Sequence, residues 1–129
     1  FKRRQKNTKI GILVHEVQGE ETREDMVIEY YERKRYKIFG TVPFLGRKNL
    51  SIFSNKMVRL RNLVLKKYPE LEIFSRKMAS GYPDFIVFSR KDFFFVEVKC
   101  LRYSLQDNQM EWFERNPKTK KYIVKVIPI

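Results

Sequence analysis

The chain has 129 residues, enough for one domain and too few for two of ordinary size. Its 28 Lys and Arg outweigh 15 Asp and Glu for a formal charge of +13, while 43% hydrophobic and 15% aromatic residues supply a core and exclude a disordered basic tail. One cysteine excludes a disulfide framework and a thiolate zinc site, one histidine excludes paired-histidine metal sites, and no apolar run reaches the roughly 18–20 residues that span a bilayer.

The opening basic run, residues 1–7, reads as a mobile arm. Thr8 to Val17 is rich in β-branched residues and predicts a strand. Thr22 is placed to cap a helix from about Arg23 to Arg35, with Met26, Val27, Tyr30 and Tyr31 on its core face. Acidic residues in its first turn and Arg33, Lys34 and Arg35 in its last match the helix dipole. Residues 36–53 predict a short strand and an irregular connection, and about 40–67 reads as a basic insertion. Ser54 predicts the cap of a second helix over Asn55–Lys67, with Met57, Leu60, Leu63 and Val64 inward and Arg59, Arg61 and the lysines outward. Pro69 stops that helix, and Leu71 to Met78 predicts a strand. A third helix is expected over Leu105–Arg115, capped by Ser104 with Asp107 answering, and Tyr122 to Ile127 closes as a strand.

Asp84–Phe88 and Phe93–Lys99 are dense apolar runs joined by Ser89-Arg90-Lys91-Asp92, the pattern of a β-hairpin covered on both faces. If those four residues form the loop, Phe88 pairs with Phe93, and counting outward in step brings Asp84 opposite Glu97. Strand alternation puts Lys99 on the face of Glu97, and cross-strand Cβ atoms lie about 4.5–5.5 Å apart. Two carboxylates and an ammonium therefore converge at one end of an apolar sheet. Such a trio can be an ordinary salt-bridge cluster. Against that stand the shared face, the apolar flanks and the Gly81-Tyr82-Pro83 turn that fixes the chain before Asp84. Two like charges held close call for a cation, and oxygen ligands without His or Cys favour Mg²⁺ or Mn²⁺. The lysine could then orient water or stabilise phosphorane charge, which suits metal-assisted phosphodiester hydrolysis.

Pro83-Asp84, followed after 12 residues by Glu97-Val98-Lys99, resembles the signature of the PD-(D/E)xK nucleases. The resemblance implies an α/β fold, a mixed central sheet flanked by helices with a restriction-endonuclease-like core. It implies that Asp84, Glu97 and the Val98 carbonyl bind the metal and that Lys99 is the catalytic lysine. It further implies a supporting Glu on the first helix, for which Glu24 is chosen over Glu21 and Glu29. Leu105, Gln109 and Trp112 resemble the VRR-NUC branch, and Gln109 with Phe113 is similar to the Gln-xxx-Tyr motif of RecB-like nucleases, so Gln109 joins the candidate site. Cys100-Leu101-Arg102-Tyr103 stands where that branch carries a glycine-rich stretch and an Asp.

A globule this basic is expected to meet a polyanion, with nucleic acid first and an anionic membrane second. Arg47, Lys48, Arg76, Lys77 and Arg102 are the named candidates for a DNA-binding face, with the Arg33–Arg35 and Lys118–Lys121 clusters beside them. No helix combines a basic face with a wide apolar one, so no membrane partner is expected, and no small-molecule cofactor is implied. His15 reads as structural and Cys100 as a buried small hydrophobe. The single cysteine points to a reducing compartment, cytoplasmic or otherwise intracellular. Residues 1–129 are thus read as a single nuclease domain, a metal-dependent endodeoxyribonuclease for branched DNA such as Holliday junctions. Symmetric cutting of a junction would need a homodimer. The rivals are a non-catalytic DNA-binding module and a restriction-type endonuclease.

Overall fold

The computed structural model describes residues 11–17, 23–46, 51–100 and 104–128. Strand β1 (Gly11–Val17) leads to helix α1 (Arg23–Arg33), strand β2 (Lys37–Gly40) and a short helix α2 (Thr41–Leu45). Helix α3 (Asn55–Lys67), a 3-10 turn at Pro69–Leu71 and a short helix α4 (Arg76–Ala79) follow. The chain ends with strands β3 (Phe85–Phe88) and β4 (Phe93–Cys100), helix α5 (Asp107–Arg115) and strand β5 (Lys121–Pro128). The strands form one mixed sheet in the order β1-β5-β4-β3-β2. β5 runs parallel to both β1 and β4, while β4, β3 and β2 are antiparallel in turn.

The hairpin register is the one the turn length predicts, with Phe88 opposite Phe93 and Phe85 opposite Val96. Both hairpin strands have a neighbour on each side, and every residue of β3 is buried. That burial is what two apolar faces require. On one face α1 lays Val27 and Tyr31 against Phe85, Val87, Val96 and Val124. On the other, Ile86, Phe95 and Ile123 pack beneath Phe44, Trp112 and Phe113. Trp112 and Phe113, each 1% exposed, are core residues.

β4 is longer than its antiparallel partner. Its last pair with β3 is at Val96, whereas its pairing with β5 continues to Cys100. Glu97, Val98 and Lys99 thus lie on a strand supported by β5 but open toward the start of β3. This overhang is the feature of the fold that makes room for a site.

Several elements depart from expectation. Ser54 does cap α3, its Oγ accepting from the Met57 N–H at 3.2 Å, but the inward face is different. Arg61 is buried and Leu63 is 61% exposed. Arg61 is taken inside by three acceptors: the carbonyls of Phe44 and Leu45, at 3.2 and 3.4 Å, and the Glu72 carboxylate at 3.0 Å. A buried cation so satisfied outcompetes a leucine at the same seam. Residues 71–78 are not a strand. Ile73 makes one isolated bridge to Gly46, and Ser75 then accepts from the Met78 N–H to cap α4. α1 ends at Arg33, because Arg35 turns into the left-handed region at φ 63°. α5 starts two residues late, capped by Gln106 rather than Ser104. The arm at residues 1–7, Thr22 and part of the segment at 40–67 lie outside the described residues. Among the described residues no helix is long and apolar enough to cross a membrane.

Candidate active site

Asp84 precedes β3 on a turn that only glycine can make. Gly81 has φ +85°, and a Cβ there would meet the Asn108 carbonyl oxygen of α5 at 2.3 Å. The turn therefore sits hard against the first turn of α5, and the Asn108 amide donates to the Ser80 hydroxyl at 3.1 Å. Tyr82 packs its ring on Trp112 and donates to the Leu71 carbonyl at 3.0 Å. Asp84 inherits this fixed position. Its backbone carbonyl accepts from the Thr41 N–H at 3.0 Å, and its Oδ2 accepts from the Val98 N–H at 2.8 Å.

That second bond joins Asp84 to the overhang of β4. The N–H and C=O of a strand residue point toward the same neighbour, so the Val98 carbonyl faces the same gap as Asp84. Glu97 and Lys99 alternate onto the face covered by α5. Gln109, in the first turn of α5, locks the arrangement from above. Its Oε1 accepts from the Gln106 N–H at 2.9 Å, completing a capping box, and its Nε2 donates to Glu97 Oε2 at 2.9 Å. Lys99 Nζ stands 3.6 Å from the same oxygen.

Glu97 is 3% exposed, and its other oxygen, Oε1, is buried with no hydrogen-bond partner among the described residues. Burial first, and then the charge of Asp84, push its carboxyl up to about 8, with Lys99 pulling the other way. A buried carboxylate oxygen left without a donor beside a second carboxylate is costly in an apo fold. It is the donor set a hard divalent cation would complete.

Of the candidates read from the sequence, Asp84, Glu97, Lys99 and Gln109 come together, with the Val98 backbone between them. Glu24 stands apart. It is exposed in the first turn of α1, which covers the sheet face carrying Val96, opposite to that of Glu97. Among the described residues no third Asp, Glu, His or Cys joins the carboxylate pair. Glu29 is paired with Arg33, and Glu21 lies outside the described residues. Arg47, Lys48 and Arg102 also lie outside them. Arg76 and Lys77 are exposed on α4. Lys77 lines an open groove of about 640 Å³ whose walls also carry Glu70, Glu111 and Arg115, so charge there is balanced.

Two basic residues behave differently from the expectation of a solvated phosphate-binding cluster. Lys121 is buried over the Phe113 ring and donates to the carbonyls of Asn116 and Thr119, closing the end of α5. Burial pulls its ammonium down to about 8. Lys120 is ion-paired with Asp92 at 3.1 Å. Cys100 is half-buried rather than fully buried. A residue the sequence reading missed is Lys125 of β5, which pairs with Lys99 across the parallel ladder and shares its face. Nothing local in the sequence could reveal it, because parallel register is set by the intervening helix and not by a turn.

The sequence profile of the VRR-NUC domain matches residues 18–127. The chain belongs to the VRR-NUC family. It is therefore a nuclease domain of the PD-(D/E)xK type, with DNA as its substrate, and its mixed sheet with flanking helices is consistent with a restriction-endonuclease-like core. Searches of curated proteins and of solved structures found no match. In this VRR-NUC chain the conjunction of Asp84, Glu97, Lys99 and Gln109 lies within the matched segment.

Proposed function

We propose that this VRR-NUC domain is a divalent-metal-dependent endodeoxyribonuclease acting on branched or structured DNA such as a four-way junction. The observation that supports it best is the buried Oε1 of Glu97, which has no hydrogen-bond partner among the described residues, on a carboxyl that feels the charge of Asp84. Mg²⁺ or Mn²⁺ fits that donor set, with Asp84, Glu97 and the Val98 carbonyl as ligands. When bound, the ion supplies positive charge against the phosphate oxygens.

The protein's own groups do the rest. The Val98 N–H holds Asp84, and Gln109 holds Glu97, so neither carboxylate needs to reorganise when substrate arrives. Lys99 is placed to orient a water toward phosphorus and to meet the negative charge that grows on the non-bridging oxygens. The water oxygen forms a bond to phosphorus, the P–O bond to the leaving nucleoside breaks, and the leaving oxygen takes a proton. The net charge of +13 supports a nucleic-acid substrate, and resolution of a junction by paired cuts would require two copies related by a two-fold axis.

The test is cleavage of labelled duplex, single strand, flap and four-way junction with Mg²⁺ or Mn²⁺. Metal-dependent cutting of the junction supports the proposal. Discrete fragments from linear duplex would replace it with the restriction-type reading. Salt-sensitive binding without cutting on any substrate would leave only a binding module.

A further inference from the structure

We propose that the hairpin turn, the end of α3 and the loop before β5 form a second DNA-binding surface, which grips a duplex arm of the substrate away from the cut. The inference rests on the nuclease reading above and adds the length of DNA that the domain engages.

Three stretches distant in sequence meet at the tip of the β3–β4 hairpin. Ser89 and Asp92 close the turn, the Ser89 N–H donating to the Asp92 carbonyl at 2.8 Å. Lys120, in the loop between α5 and β5, is ion-paired with Asp92 at 3.1 Å and tethers that loop to the turn. Tyr68, just after α3, packs its ring on Phe93 and donates to the Lys118 carbonyl at 3.0 Å. These contacts hold five exposed cations around one corner: Lys66 and Lys67 in the last turn of α3, Arg90 and Lys91 in the hairpin turn, and Lys118 in the loop.

The corner is more basic than its own packing requires. Asp92 is the carboxylate of the turn, and Lys120 already matches it. Slight burial acts against the Asp92 charge, but the Phe93 N–H, Lys120 and Lys67 outweigh it and hold the carboxyl below its usual range. Lys67 also stands over the Tyr68 ring at 5.5 Å, and both α3 lysines suit the helix dipole. Arg90, Lys91 and Lys118 add three more charges beside them. Like charges gathered on one surface repel until an anion joins them. Each strand of duplex DNA offers such anions in a row, one phosphate about every 3.4 Å of axis. The fold sets the distance to the cut. The corner lies at the start of β4 and the carboxylate site near its end, and the strand from Phe93 to Lys99 spans about 20 Å. α3 packs into the same core as α5, so the corner adjoins the sheet face that carries Glu97. A duplex arm must therefore run about 6 base pairs past the cut to reach it.

The test compares two double variants of the corner, Arg90→Gln with Lys91→Gln and Lys66→Gln with Lys118→Gln, against a control double variant, Lys56→Gln with Arg59→Gln. The control removes two exposed charges from the first half of α3, where Lys56 lies about 16 Å along the helix from Lys67. Binding of a labelled four-way junction is measured in EDTA over a salt series, cleavage is measured with Mg²⁺, and folding is checked by circular dichroism. A second junction carries neutral methylphosphonates in place of the phosphates about 5–8 nucleotides from the branch. At about 0.15 M salt one phosphate contact contributes about fivefold in affinity, so each corner variant should bind about twentyfold more weakly, with the log–log salt slope lower by about 1.8. KM should rise while kcat stays within about twofold, and stabilisation by Mg²⁺ should be unchanged. The control should change binding less than about twofold. Methylphosphonates should weaken binding by wild type and control, and weaken the corner variants little further. Corner variants that match the control in affinity and salt slope, beside wild type that cuts with metal, would overturn this inference and spare the nuclease reading. An equal methylphosphonate effect in all four proteins would also overturn it, because those phosphates would then be held elsewhere. Wild-type protein that neither binds nor cuts would overturn both.

Discussion

Replacing Glu97 with Gln should stabilise the metal-free protein, and by an amount that grows with pH. Glu97 is 3% exposed, and its carboxyl sits at about 8 in the fold against 4.5 for an ordinary glutamate. The native state therefore holds this proton more tightly than the unfolded chain does. Its contribution to stability is complete below about pH 4.5 and is lost as pH climbs through about 8. Each pH unit inside that window costs about 1.4 kcal/mol for a full proton. Because Asp84 shares the charge, a net loss on the order of 3 kcal/mol is expected by about pH 8.5. Glutamine cannot ionise and escapes the loss, while its amide still fills the space. Urea unfolding followed by circular dichroism in EDTA should therefore show near-equal stability at about pH 5 and a widening gap in favour of Glu97→Gln above it. Lys121, which also titrates near 8, is present in both proteins and drops out of the difference. A gap constant to within about 0.5 kcal/mol across the range would refute the burial and like-charge argument.

Mg²⁺ should close most of that gap: at a hundredfold excess over its Kd it should stabilise wild type by about 2.7 kcal/mol and leave Glu97→Gln and Asp84→Ala almost unmoved, as read by thermal unfolding. Gly81→Ala should destabilise by at least about 2 kcal/mol in urea and impair cleavage, because the left-handed backbone and the Asn108 carbonyl both oppose a Cβ there. Arg61→Met should cost about 2–4 kcal/mol by removing the buried donor of the Phe44 and Leu45 carbonyls and the cation that Glu72 pairs with. Adding Glu72→Gln to it should recover part of that loss, and no recovery would mean the ion pair contributes little.

The hairpin was readable because its information is local. A four-residue turn between two apolar runs fixes register, and register alone brings Asp84 to Glu97 and Lys99 to the same face. Ser54 and Pro69 bracket α3 for equally local reasons. What escaped was decided by distant partners. Hydrophobic periodicity placed Leu63 inward, but Arg61 finds acceptors on Phe44, Leu45 and Glu72, residues 11 to 17 positions away. Leu71 to Met78 has strand-forming residues, yet finds a single bridge partner at Gly46, so Ser75 is left free to start α4. Gln109 joins the carboxylates through Glu97, because capping Gln106 turns its amide toward β4. Glu24 follows helix logic correctly but belongs to the helix on the other face of the sheet. Lys125 needed the parallel β4–β5 pairing, which no turn in the sequence announces.

The most direct measurement is the rate at which wild type, Asp84→Asn and Lys99→Met cut one labelled four-way junction in Mg²⁺ and in EDTA. Cutting by wild type in Mg²⁺ only, abolished by Asp84→Asn and greatly slowed by Lys99→Met while Mg²⁺ still stabilises the Lys99 variant, is the predicted result. Cutting that survives in EDTA, or in Asp84→Asn, would contradict a metal-dependent site built on Asp84 and Glu97.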